Sequence, residues 1–92
     1  MKTIKIKVST THIKNGKINS TRKCPIALAI QETMNISYRE ASVYDDYINL
    51  EIGGTMHFIN LPKRAIDFID KFDDRRQVKP FCFQIKISKS KI

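Results

Sequence analysis

The segment that most restricts this chain's fold is Cys24-Pro25-Ile26-Ala27-Leu28-Ala29-Ile30, where polar residues vanish directly behind a basic stretch ending in Arg22-Lys23. A run that is apolar on every side has to be covered on every side. Pro25 suits the first turn of a helix, because its fixed φ is helical and its missing N–H has no intrahelical partner to lose. The run therefore predicts a buried helix from Pro25 to about Met34, with Ala27 and Ala29 small enough to let it lie close against a sheet. Six consecutive apolar residues fall far short of the roughly 20 that span a membrane, and the N-terminus alternates Lys with Ile instead of forming a signal-peptide core. The expected setting is soluble and cytoplasmic, with no membrane partner.

Around that helix the periodicity is strand-like. "TIKIKVS" sets Ile4, Ile6 and Val8 on one face and Lys5 and Lys7 on the other, and "YINLEI" and "TMHFINL" alternate on either side of Gly53-Gly54, a hairpin signal. A second helix opens at Pro62, with Ala65, Ile66, Phe68, Ile69 and Phe72 as its apolar stripe. "FCFQIKI" then turns Phe81, Phe83, Ile85 and Ile87 inward. The order strand, helix, strand, strand, helix, strand is that of a split βαβ, ferredoxin-like α+β sandwich, an antiparallel sheet with two helices on one face. We expect one domain over residues 1–88 and a tail at 89–92. A chain of 92 residues removes only about 60–65% of its unfolded surface from water. Residues 36–46 are the weak point, because an extra short strand there would change the topology.

The net charge of +8 is unevenly distributed: residues 1–23 hold seven Lys or Arg and no acid, the middle is acidic, and the last third is basic again. Residues 10–23, polar and containing Asn15-Gly16, read as a long exposed loop. In the split βαβ topology that loop, the Gly53-Gly54 turn and the loop 73–80 share one end. The ligand-binding set expected there is His12, Lys14, Lys17, Arg22, Lys23, Cys24, Arg75 and Arg76, with Lys79 nearby, around the free N–H groups of the first helix. Such an end would hold an anionic nucleotide through its phosphates. The plainer alternative is that Ser20 or Thr21 caps the helix and the loop is merely solvated.

Little else carries chemistry. Cys24 at a helix start has the position of a reactive thiol, yet Pro25 and the apolar run favour burial. His12 and His57 have no nucleophile or carboxylate beside them in sequence, and Asp73-Asp74 read as salt-bridged to Arg75-Arg76. Two cysteines and two distant histidines match no metal-ligand spacing. No catalytic residues, metal or cofactor are expected.

The segments "HIKNG", "CPIALAI", "LPKRAIDFIDKFD" and "VKPFCFQIKI" together resemble a recurrent family of small bacteriophage-encoded proteins, over most of the chain from His12 to Ile87. By analogy with phage sponges such as Sequestin and Lockin, the resemblance implies a protein that sequesters a host immune nucleotide, ADP-ribose-derived or cyclic, without cleaving it and so inhibits antiphage defence. It carries no binding residues over to this chain. Tyr44, Tyr47 and Phe81 are candidate surfaces for a base, and a pocket shared between two copies would make the protein a homo-oligomer. Two other readings stand beside this one: a nucleic-acid-binding module, for which Lys5 and Lys7 leave the first strand without stacking aromatics, and a protein that docks on a host factor.

Overall fold

Strict alternation makes β1 (Lys2–Val8) a half-buried strand, with Ile6 and Val8 wholly buried and Lys5 and Lys7 in solvent. It pairs antiparallel with β5 (Phe81–Ile87), placing Ile6 opposite Phe83 and Lys5 opposite Gln84. The computed structural model describes residues 2–37 and 39–87, so the expected tail lies outside the described residues.

The three strands between them form a second antiparallel ladder. β3 (Tyr47–Ile52) and β4 (Thr55–Asn60) are the expected hairpin, turning at Gly53 and Gly54, whose φ values of 57° and 82° are those that two-residue turns require. On the other edge of β3 lies a short strand, β2 (Ala41–Val43), with Val43 opposite Ile48. This extra strand reverses the hairpin. β2 takes the upward course expected of β3, so β3 runs down and Gly53-Gly54 turns at the end of the sheet far from the loop that follows β1.

The α+β class is as expected, but the strands are not joined in the ferredoxin-like order. That order sets the first strand beside the hairpin. Here β5 adjoins β4, across a groove with Phe58–Pro62 on one wall and Gln84–Lys86 on the other, and β1 takes the outside edge.

Three helices, not two, accompany the strands. α1 (Thr10–Asn15) occupies part of the expected loop. It is a single closed unit: Ser9 caps it, the Ser9 Oγ accepts from the His12 N–H at 3.4 Å, and His12 Nδ1 accepts from the Ser9 N–H at 2.9 Å. α2 (Pro25–Met34) begins and ends where expected, closing on Asn35 in the left-handed region at φ 54°. Ile26, Ala27, Ala29 and Ile30 have no exposed surface, and each large side chain so covered contributes about 1.5–3 kcal/mol. α3 (Lys63–Asp73) buries Ala65, Phe68 and Ile69, with the Phe68 ring 4.8 Å from Phe81. Because the hairpin is reversed, α3 starts at the β5 end that holds Cys82, and Arg64 Nη1 donates to the Cys82 carbonyl at 3.2 Å. Lys63 and Arg64 are therefore near the loop after β1, not at the opposite end of the molecule.

Candidate functional site

The loop from Gly16 to Cys24 is fixed from several sides. Lys17 N–H donates to the Lys23 carbonyl at 2.8 Å, and Ser20 Oγ accepts from the Lys23 N–H. The loop is tied outward by the Val43 N–H to the Thr21 carbonyl at 2.7 Å, by Asn19 N–H to Asp73 Oδ1 at 3.0 Å, and by Gln31 Nε2 to the Arg22 carbonyl. These bonds bring the loop against the turn between β2 and β3 and against the end of α3. Between them lies an open cleft of about 380 Å³, within the roughly 300–1,000 Å³ of small-molecule sites.

Its walls have two characters. One carries Tyr44 and Tyr47, whose rings stack at 4.8 Å with 16° between their planes, and Tyr44 is exposed. The other, polar, character comes from three elements: Asp45 and Asp46 on the same turn as the tyrosines, Asn19, Ser20 and Thr21 on the loop, and Asp73 at the end of α3. Among the described residues no lysine or arginine lines the cleft.

The start of α2, where the sequence suggests an anion site, is closed by a side chain. Cys24 is the N-cap, and its Sγ accepts from the Ala27 N–H at 3.4 Å. Burial pushes the thiol up to about 11, against the opposing effect of the Ala27 and Ile26 backbone N–H groups. At neutral pH Cys24 is thus a neutral thiol closing a buried helix end. Neither Ser20 nor Thr21 caps that helix.

The other expected ligand residues are dispersed. His12 is buried and structural: with Nδ1 accepting from Ser9, the ring proton sits on Nε2, which lies 3.2 Å from Glu32 Oε1 and pins α1 to α2. Lys14, Lys17, Arg22 and Lys23 are exposed along α1 and the loop. Arg75, at φ 61°, and Arg76, whose Nε is 3.8 Å from Asp74 Oδ2, leave the end of α3. Lys79 lines a different groove, with Lys71 and Phe81. Of the expected set only Cys24 borders the cleft; Arg22 and Lys23 lie next in the chain to its loop wall, and Arg75 and Arg76 follow Asp73 closely. Asp45 and Asp46 escape sequence reasoning because an Asp pair between two alternating runs signals only a turn.

Among the described residues no group of three His, Cys, Asp or Glu is placed to hold a metal ion, and no helix is long and apolar enough to cross a membrane. Comparison with known proteins finds no family model, no curated protein and no solved structure that matches the chain.

Proposed function

We propose that this protein binds a nucleotide in the cleft between Tyr44-Tyr47 and the 19–24 loop, and sequesters it without cleaving it. The observation that carries the reading is the stacked tyrosine pair in a cleft also lined by three carboxylates and two hydroxyls. A base stacks on the exposed face of Tyr44. The ribose hydroxyls donate to Asp45, Asp46 or Asp73, which as carboxylates only accept. Those same carboxylates repel phosphate, so the phosphates point outward to the rim, where Arg22, Lys23, Arg75 and Arg76 supply cations.

How two reactive groups are committed supports sequestration over turnover. Cys24 is protonated and buried, and His12 is held between Ser9 and Glu32. The resemblance to phage-encoded proteins gives the ligand class: a signalling nucleotide of a host defence pathway, ADP-ribose-derived or cyclic, removed from solution in the host cytoplasm.

A thermal-shift screen against linear and cyclic ADP-ribose derivatives and cyclic dinucleotides tests this. A ligand present at about 100 times its dissociation constant stabilises the fold by about 2.7 kcal/mol, a rise in Tm of the order of 10–20 °C for a domain of this size. Absence of any shift at high micromolar concentration across the panel refutes the proposal.

A further inference from the structure

The outward face of the sheet carries a row of rings that extends beyond the cleft. Alternation places Tyr47, Asn49 and Glu51 of β3 and Met56, Phe58 and Asn60 of β4 on that face, in the register Tyr47 opposite Asn60 and Asn49 opposite Phe58. Phe58 is 70% exposed and Met56 49%, an unusual surplus of apolar surface for the open side of a sheet. The rings form a row. Tyr44 stacks on Tyr47, and Tyr47 lies 6.2 Å from Phe58 at 48°.

Beyond Phe58 the row meets cations. Phe58 and Asn60 line the groove between β4 and β5 together with Gln84 and Lys86, and the adjoining groove adds Lys5 and Arg64. Lys5 is opposite Gln84, and Lys7 continues the same outward row. Within this surface Asn49 Oδ1 is buried without a hydrogen-bond partner, the only such side-chain atom among the described residues. An acceptor left so costs about 1–3 kcal/mol, and nothing in the fold uses it.

We infer that this face binds single-stranded nucleic acid. Successive bases stack on the Tyr44–Tyr47–Phe58 row, and the backbone runs over Lys86, Lys5 and Lys7. Single strands are held by this combination, aromatic rings for the bases and a cationic track for the phosphates. The sequence conceals the platform, because its rings are on β3 and β4 while the first strand offers only lysines. Charge also selects the occupant. A second copy laid on the face would bring two chains of +8 together, whereas a polyanion is drawn to it. The inference shares Tyr44 and Tyr47 with the cleft reading, but the two residues that test it, Phe58 and Lys86, do not line the cleft.

Fluorescence anisotropy with labelled oligo-U and oligo-dT of about 12 nucleotides, within the range of single-stranded sites, tests it in 150 mM salt. The expected result is saturable binding that Phe58→Ala weakens about 5- to 150-fold, the effect of one lost stacking contact of 1–3 kcal/mol. Phe58→Tyr should restore it. Lys86→Ala should reduce the slope of log affinity against log salt by about 0.7. Phe58 is largely exposed, so circular dichroism of the Ala variant should match the parent. Three results overturn the inference: binding that vanishes by 150 mM salt, binding indifferent to Phe58→Ala, or a dimer in light scattering that dissociates with Phe58→Ala and takes up no oligonucleotide. Loss of nucleotide binding in the cleft leaves these readouts unaffected.

Discussion

Replacing Gly16 by alanine reverses the sign that such a change ordinarily has. Gly16 sits at φ −72° and ψ 154°, a conformation open to any residue, and there Gly→Ala normally stabilises by about 0.4–1 kcal/mol through the unfolded chain. Here the new Cβ would stand 2.5 Å from Pro25 Cδ, 2.6 Å from Cγ and 2.7 Å from the Pro25 nitrogen. Pro25 is fully buried and begins α2, so its ring has no rotamer to escape into and its nitrogen is backbone. α1 and α2 must then separate. Overpacking of this kind costs about 1–3 kcal/mol, which outweighs the entropic gain and leaves a net loss of about 1–2 kcal/mol. Urea unfolding followed by circular dichroism reads it directly, with Tm lower by about 4–16 °C. Pro25→Ala in the same chain should relieve part of the loss, a coupling that a double-mutant cycle isolates. A Gly16→Ala variant as stable as the parent or more so would refute the close approach of Gly16 to Pro25.

Three other outcomes follow from the same geometry. The folded chain holds the Cys24 proton more tightly than the unfolded chain does; the resulting stability, about 2–3 kcal/mol from the shift to about 11, is complete below about pH 9 and lost as pH rises through 11, so unfolding free energy should fall less steeply over that window in Cys24→Ala. His12→Ala should lower stability by about 1–3 kcal/mol in thermal or urea unfolding, because it removes the imidazole that accepts from the Ser9 N–H and ties α1 to Glu32; an unchanged midpoint would show that the buried imidazole holds nothing. Arg22→Ala, Lys23→Ala and Arg75→Ala should each weaken nucleotide binding about 10- to 150-fold, the loss of one charged hydrogen bond of 1.5–3 kcal/mol, while Lys63→Ala, whose ammonium pairs only with Asp67 at 3.3 Å on an exposed turn, should bind as the parent does in calorimetry.

How much the sequence reveals depends on the range of the signal. The strands from Lys2, Tyr47, Thr55 and Phe81 and the helix from Lys63 are legible because each repeats its apolar residues at its own period over six residues or more, and the helix from Pro25 because an unbroken apolar run follows a proline. α1 is not, since its six residues bury only His12 and its stability comes from a reciprocal cap, not from a stripe. β2 is hidden for the same reason: three residues, Ala41-Ser42-Val43, are all buried and show no alternation. That short strand, left open at residues 36–46, decides the direction of the hairpin, so it alone moved the Gly53-Gly54 turn and the start of α3 to other ends of the molecule. The segments "HIKNG" and "CPIALAI" have structural work in this fold. In these segments His12 completes the Ser9 capping box of α1, Gly16 abuts Pro25 and Cys24 caps α2, so they mark how α1 is seated on α2. The cleft was half legible. Tyr44 and Tyr47 stand out as aromatics in an acidic stretch, but their stacking and the approach of Asp73 to the 19–21 loop depend on contacts between residues far apart in the chain.

Chemical-shift mapping of the backbone amides during titration with ADP-ribose and with a cyclic ADP-ribose derivative tests the central claim most directly. The cleft reading predicts saturable changes concentrated at residues 19–24, 43–47 and 73–76, with Ile26–Leu28 at the sealed start of α2 little moved. Changes centred on the α2 start, or spread without saturation over the lysines of β1 and β5, would contradict it.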